Sequence, residues 1–134
     1  MKWKDLYMKA FKLNHQHNIS PFINSGYITC VIESDKGNIY YGTNIVTGSK
    51  IAMCAEKSAI SSMVSNQDYL IKRMVLVNEL GELLLPCENC LEYLLDFSGE
   101  EDFEILTSVE KEKTVKIREL LPDYWGTFRT SKED

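Results

Sequence analysis

The chain has 134 residues, 44% of them hydrophobic and 26% charged, which is enough for one compact domain with a core and too little for two. Its formal net charge of −5, without a run of Lys or Arg, argues against binding to nucleic acid or to an anionic membrane. A small-molecule ligand is therefore favoured. We expect a single domain over residues 1–134, with a tail from about residue 126 outside the core.

Cellular location can also be predicted from the pattern of apolar residues. No stretch approaches the ~18 apolar residues of a membrane span, and charges interrupt the N-terminal region where a signal peptide needs an apolar run. We therefore expect a cytoplasmic protein. In that reducing compartment the four cysteines are not expected to form disulfides, and a Cys-x-x-Cys pair is more often a metal or redox motif.

The first predicted element is an amphipathic helix over about 14 residues that packs on the core. Its apolar residues recur at the spacing of one helical face: Trp3, Leu6, Tyr7, Ala10 and Phe11. His15 and His17 follow in a polar segment that we interpret as a loop. Without an acidic or thiol neighbour in the sequence, they are assigned no metal-binding role.

A β-hairpin follows the first helix. Residues 27–32 are mostly β-branched or aromatic, "DKGN" at 35–38 is rich in turn formers, and residues 39–46 resume the strand pattern.

Three further apolar runs predict strands, at 74–80, 103–109 and 114–117. Two helical segments, at about 53–66 and 87–97, lie between strands and are long enough to cross over a sheet. Strands that alternate with helices indicate an α/β fold, with a mixed sheet covered on both faces.

Two short motifs at the predicted helix starts carry potential chemistry: "CAE" at 54–56 and "PCENC" at 86–90. The gap between Cys87 and Cys90 lets one turn of backbone present two sulfurs to one ion, and Pro86 suits the first turn of a helix. A structural zinc site fills all four positions with protein ligands, whereas a catalytic site supplies three and leaves one for water. The number of protein ligands therefore separates a scaffold from an enzyme.

Cys54 and Glu56 point about 200° apart around a helix, so they cannot share a lateral face. Both can reach an ion that lies off the N-terminal end, where the helix N-H groups and dipole also stabilise thiolates. A carboxylate beside a metal-activated water can take its proton and pass it on. We therefore predict that Glu56 is a proton shuttle and not a ligand.

The ordered pair C-A-E and P-C-x-x-C resembles the signature of the zinc-dependent cytidine deaminase superfamily. The three-cysteine form is similar to the branch that acts on free nucleosides, and the length and motif placement are closest to blasticidin S deaminases and short cytidine deaminases. Residues 35–46 and 117–122 also resemble family segments, so the similarity spans roughly residues 25–125.

This resemblance implies a three-layer α/β/α sandwich with a five-stranded mixed sheet, assembled as a homotetramer or homodimer. It also implies Zn²⁺ held by Cys54, Cys87 and Cys90, with Glu56 as the catalytic proton shuttle. The implied reaction is hydrolytic deamination of a free aminopyrimidine nucleoside or a nucleoside-like compound, such as cytidine, deoxycytidine or a blasticidin S-like molecule.

The resemblance further implies three substrate contacts: the Ala55 N-H with the pyrimidine carbonyl, the Leu85 carbonyl with the leaving amino group, and the Asn44 side chain with the sugar. Tyr124 and Trp125, near the end of the chain, are a possible lid over the site. Asn44 also has a simpler interpretation, as a strand-end residue that makes local hydrogen bonds.

Several positions depart from the family pattern. Val46 stands where cytidine deaminases usually carry a Glu that binds a ribose hydroxyl. A buried ribose hydroxyl would lose this charged partner, at a cost of roughly 1.5–3 kcal/mol in binding free energy. Gly26 stands where an aromatic residue often stacks on the base. Leu91 replaces an Arg found near a zinc thiolate, and Lys57 stands where another Arg is frequent. The deamination residues are thus intact while the nucleoside-holding positions are altered.

Other functions are also compatible with the sequence. A structural or binding module could close its zinc site with Cys30, which in a strand pattern is otherwise expected to be a core thiol. A redox protein could use "CENC", although Cys54 then has no role. Nucleic-acid deamination lacks the basic surface it requires. A deaminase paralogue that has lost activity is a further alternative.

Overall fold

The computed structural model describes residues 2–15, 17–49, 52–86 and 88–121. The helices are α1 (Trp3–Leu13), α2 (Ala55–Ser65) and α3 (Glu88–Leu95), with a short 3₁₀ turn at Ile117–Leu120. The strands are β1 (His17–Ser20), β2 (Ile23–Ser34), β3 (Ile39–Thr47), β4 (Ala52–Met53), β5 (Ile71–Asn78), β6 (Glu104–Ser108) and β7 (Lys113–Lys116). No helix in these ranges is long and apolar enough to cross a membrane.

The described strands form one mixed sheet in the order β4-β3-β2-β5-β6-β7, and β1 pairs with the start of β2. Only β5 and β6 are parallel neighbours; the other pairs in these segments are antiparallel. The predicted α/β fold is confirmed, but the sheet has seven strands, two more than the five predicted. The additional strands are β1 and β4. Because β4 has two residues and β1 is mostly polar, neither shows an apolar strand pattern.

His17 is the first residue of β1, so the prediction of a loop is wrong at this position. Residues of β1 pair with Ile23–Ser25 of β2 through backbone hydrogen bonds, which do not depend on an apolar side-chain pattern.

The side chains of the central strands alternate between two apolar layers. On one face, Leu6 and Ala10 of α1 pack with residues of β2, β5 and β6 that include Val31 and Val75. On the other face, Cys30 and the neighbouring core residues pack against α2 and α3. This period of two is that of a strand, and it produces the three layers of the predicted sandwich.

Helix α2 lies unusually close to β3. A Cβ atom added to Gly42 would lie 2.4 Å from the Ala59 backbone nitrogen and 2.6 Å from the Ser58 Cβ. Glycine is therefore required at this position by the contact between strand and helix. The contact fixes the axis of α2, and with it the position of the residues at its N-terminus.

Candidate active site

Cys54 occupies the N-cap of α2, directly after β4. Its Sγ accepts a hydrogen bond from the Lys57 backbone N-H at 3.4 Å, as a Ser, Thr, Asp or Asn side chain usually does at this position. The thiol therefore lies off the end of the helix, where the backbone N-H groups carry partial positive charge. Glu56 follows in the first turn and is only 5% exposed.

Cys90, in the first turn of α3, meets this helix end. Its Sγ lies 3.3 Å from the Sγ of Cys54. One ligand atom each from Cys54, Glu56 and Cys90 lie within 4.8 Å of one another, and in the described parts of the chain this is the one such group of three or more metal-binding side chains. The structure thus brings together residues 36 positions apart, with the end-on arrangement predicted for Cys54 and Glu56.

The donor set fits a zinc ion. Two sulfurs at 2.3 Å from one tetrahedral Zn²⁺ lie roughly 3.8 Å apart, close to the separation of Cys54 and Cys90. Cysteine thiolates are among the preferred ligands of zinc. Cys87, predicted as the third sulfur ligand, lies outside the described residues, as do Tyr124 and Trp125 of the predicted lid.

Cys30 is fully buried in β2, as predicted for a core thiol. Burial raises the pKa of the Cys30 thiol well above its ordinary value, and the negative charges of Glu56, Cys54 and Cys90 raise it further. Cys30 is not a member of the metal-binding group of described residues. This arrangement does not favour its use as a fourth zinc ligand.

Asn44 belongs to β3 and is half-buried. Its Oδ1 accepts a hydrogen bond from the Ile28 backbone N-H at 2.9 Å, at an irregularity in β2 between Ser25 and Thr29. Gly26, within this irregularity, has φ +87°, a conformation that favours glycine over an aromatic residue. Asn44 therefore makes the local hydrogen bond that its simpler interpretation predicted, and the amide nitrogen is left as its donor.

Val46 lies two residues further along β3 and is 38% exposed. Its register partner in β4 is Ala52, two residues before Cys54, so the short strand connects this position with the metal-binding group. Ala55 is buried at the start of α2. Leu85 is 51% exposed and precedes Pro86, which is buried.

One contact beside the thiols was not predicted from the sequence. The Lys57 ammonium lies over the ring of Tyr93, 5.3 Å from its centroid. Tyr93 follows Cys90 by three residues within α3, so the two share a helical face, and Lys57 follows the N-cap Cys54 by three residues. The repeated spacing of three was only a partial signal for this contact, because it does not specify that the two helices are neighbours. Leu91, in contrast, is 4% exposed and belongs to the core.

Comparison with protein families identifies residues 1–103 as a match to the cytidine and deoxycytidylate deaminase zinc-binding region. The chain belongs to this deaminase family. The family prediction is thereby confirmed, and so is Zn²⁺ as the cofactor, since the matched region is the zinc-binding one and the described cluster supplies suitable donors. A comparison with curated protein sequences finds no significant match.

Solved structures of cytidine deaminases share the fold of this deaminase-family chain. The enzyme from Mycobacterium tuberculosis aligns with a TM-score of 0.75 at 23% identity, over 92% of this chain and 96% of that one. The Mycobacterium leprae enzyme aligns with a TM-score of 0.74 at 23% identity, over 92% of this chain and 99% of that one. The Bacillus anthracis enzyme aligns with a TM-score of 0.69 at 20% identity, over 96% of this chain and 93% of that one. At these identities the similarity establishes the fold.

Proposed function

We propose that the protein is a zinc-dependent hydrolase that deaminates a free aminopyrimidine nucleoside or nucleoside-like compound and releases ammonia. The observation that carries the proposal is the convergence of Cys54, Glu56 and Cys90 at the ends of two helices. Family membership supports the reaction class, because the matched family is a deaminase family.

Zinc would be held by Cys54 and Cys90, with Cys87 as the third sulfur ligand. When bound, the metal supplies Lewis acidity that makes water an effective nucleophile near neutral pH. Exposed N-H groups at the N-termini of α2 and α3 would stabilise the negative charge of the zinc-bound sulfurs.

Glu56 is the proposed proton carrier. Its carboxylate would take a proton from the attacking water, place it on the ring nitrogen N3, and later deliver a proton to the departing ammonia. The C4 carbon gains an oxygen from water and loses its amino group, so the products are a carbonyl compound and NH₃. Burial of Glu56 keeps this transfer away from bulk solvent.

Two backbone groups would orient the ring. The Ala55 N-H, in the first turn of α2, has no acceptor within its own helix and is the proposed donor to the pyrimidine carbonyl. The Leu85 carbonyl would accept from the amino group before it leaves. Ala55 lies between Cys54 and Glu56 in the sequence, and Leu85 lies two residues before Cys87, which supports these assignments.

The end of β3 would select the part of the substrate attached to the ring. Because the Ile28 N-H occupies the Asn44 Oδ1, Asn44 offers its amide hydrogens, and the substrate should present an acceptor there. Val46 offers an apolar surface that accepts no hydrogen bond. This combination favours a nucleoside-like compound in which the group attached to the ring needs no hydrogen bond to a carboxylate at position 46. Deoxycytidine and a blasticidin S-like molecule are examples.

We also propose assembly as a homotetramer. Exposed apolar side chains cluster near the β4 edge of the sheet, where Ile45 and Met53 are register partners and Phe22 lies close to Gly48. Phe22 is 68% exposed in the single chain, and association would remove such surface from water. Light scattering coupled to size exclusion would give the mass of the assembly.

A panel of substrates tests the proposed function directly. Cytidine, deoxycytidine, cytosine and blasticidin S would be incubated with the protein, and ammonia release measured beside zinc content. At least one substrate should release ammonia, and zinc removal followed by readdition should abolish and restore the rate. Protein that contains one zinc per chain and releases no ammonia from this panel would contradict the proposal.

A closed structural zinc site is the second candidate. It would need a further sulfur ligand, and the described metal-binding group contains Glu56 in place of Cys30. X-ray absorption on the zinc-loaded protein separates the two candidates, since the deaminase should show three sulfur ligands and one lighter ligand, and the structural site four sulfurs.

A further inference from the structure

Two side-chain contacts join the N-terminal regions of α2 and α3. In the first contact, the Sγ atoms of Cys54 and Cys90 are 3.3 Å apart. One helical turn further on, the Lys57 ammonium lies over the Tyr93 ring at 5.3 Å from its centroid. Cys90 and Tyr93 share a face of α3, and Lys57 follows the N-cap Cys54 by three residues, so the two contacts lie next to each other between the helices.

From this geometry we infer that Lys57 and Tyr93 are positioning residues that hold the two helix ends at the separation a single zinc ion requires. The inference rests on the proposed zinc site. Lys57 and Tyr93 are not themselves metal ligands, and their contact acts on metal affinity through the separation of the thiols.

Neighbouring contacts restrain the positions of the Tyr93 ring and of Lys57. Tyr93 packs on Phe97, two residues beyond the end of α3, with ring centroids 5.2 Å apart, which restrains the ring that Lys57 covers. Lys57 also donates its backbone N-H to the Cys54 sulfur. One residue of α2 therefore contacts both the thiol of its own helix and the aromatic ring of the opposite helix.

Residues of α2 and α3 also pack in one core cluster, and the contact between Lys57 and Tyr93 adds to this restraint near the helix ends. Tyr93 is 39% exposed, so its contact with Lys57 belongs to the edge of the interface and can be removed without a cavity in the core. Loss of this contact should let the thiols separate in the zinc-free protein. Zinc must then draw them together on binding, which lowers its affinity.

The test is a double-mutant cycle on zinc affinity, measured by competition with a chelator on the full chain. Tyr93→Leu and Lys57→Met should each weaken zinc binding by roughly two- to fivefold, the range of a cation-π contact at a partly exposed site. The double variant should lose no more than the larger single loss, because both substitutions remove the same contact.

Matched variants separate the contact from a general structural effect. Tyr93→Phe keeps the aromatic face and Lys57→Arg keeps the cation, so both should retain wild-type zinc affinity. Additive losses in the cycle, or a loss in Tyr93→Phe as large as in Tyr93→Leu, would overturn the inference while leaving a zinc-binding deaminase intact. Wild-type protein that binds no zinc would instead contradict the proposed function.

Discussion

The helix ends that carry the thiols and the far end of β3 differ in how tightly the fold constrains them. At the helix ends, Glu56 is 5% exposed and Cys90 is 3% exposed, and a close contact between α2 and β3 fixes the helix axis. At the end of β3, Val46 is 38% exposed and an irregular β2 runs beside it. The proposed chemistry thus uses buried, fixed groups, whereas the proposed selection of the substrate uses a more open surface.

This difference explains why one region keeps the family motif and the other departs from it. Cys54, Glu56 and Cys90 must converge within a few ångströms, so few residue types can replace them. The surface near Val46 can change with the compound that it contacts, without disturbing the core. Changes at the helix ends should therefore act on zinc binding, and changes at the end of β3 on substrate choice.

The largest effect is expected from loss of a thiol. Cys90→Ala should weaken zinc binding by more than about 100-fold, the upper range for changes to groups that only support a ligand. Zinc content after dialysis and ammonia release measure the result. The buried Cys30→Ala is the matched control and should keep its zinc; equal zinc loss in both variants would contradict the assignment of Cys90.

The second-largest effect is expected on substrate choice. Val46→Glu adds a charged acceptor beside Asn44, and it should raise kcat/KM for cytidine by roughly 10- to 100-fold relative to wild type, the worth of one hydrogen bond to a charged group. Zinc content should stay the same. Val46→Leu controls for side-chain volume and should not raise cytidine turnover. If the two variants behave alike, the end of β3 does not contact the sugar.

The third effect is expected on the stability of the fold, from a substitution at the contact between β3 and α2. Gly42→Ala places a Cβ about where Ala59 and Ser58 already lie, so α2 must shift, at a cost of roughly 1–3 kcal/mol in the free energy of unfolding. Urea denaturation measures it. Gly99→Ala is the control, because its added Cβ would meet neighbours only at ordinary contact distance of 3.5 Å or more. Similar losses in both variants would contradict the close approach of α2.

The smallest effect is expected at the opposite end of the β2–β3 hairpin. Asp68 is buried, which raises its pKa, but hydrogen bonds from Ser34, Asn38 and Tyr40, together with the charge of Lys36, outweigh burial and leave the pKa below its ordinary value of 3.8. The stabilisation by this carboxylate is therefore complete above pH 3.8 and declines as the pH falls through the lower folded-state value.

Asp68→Asn should accordingly cost about 1 kcal/mol of stability at pH 7, and the difference from wild type should shrink in acid. Urea denaturation at pH 7 and below pH 3.8 checks this. Zinc affinity and kcat/KM at pH 7 should be unchanged. A stability difference that stays constant with pH would show that the Asp68 charge is not responsible.

Much of the fold and part of the site could be predicted because the responsible patterns are local. Runs of β-branched, aromatic and other apolar residues predicted five strands, and the two-residue spacing of Cys54 and Glu56 predicted their end-on arrangement. Strands β1 and β4 were missed because backbone pairing holds them without an apolar pattern. The Asn44 bond to Ile28 and the Lys57 contact with Tyr93 depend on which strands and helices become neighbours, and sequence spacing alone does not specify that.

The measurement that tests the central claim most directly compares wild type and Glu56→Gln in the same assay of zinc content and ammonia release. The substitution preserves side-chain size and removes the ability to carry a proton. Zinc content should be equal in the two proteins, and turnover of the best substrate should fall by about 10²- to 10⁴-fold. Equal turnover in both proteins would contradict the role of Glu56 and with it the proposed mechanism.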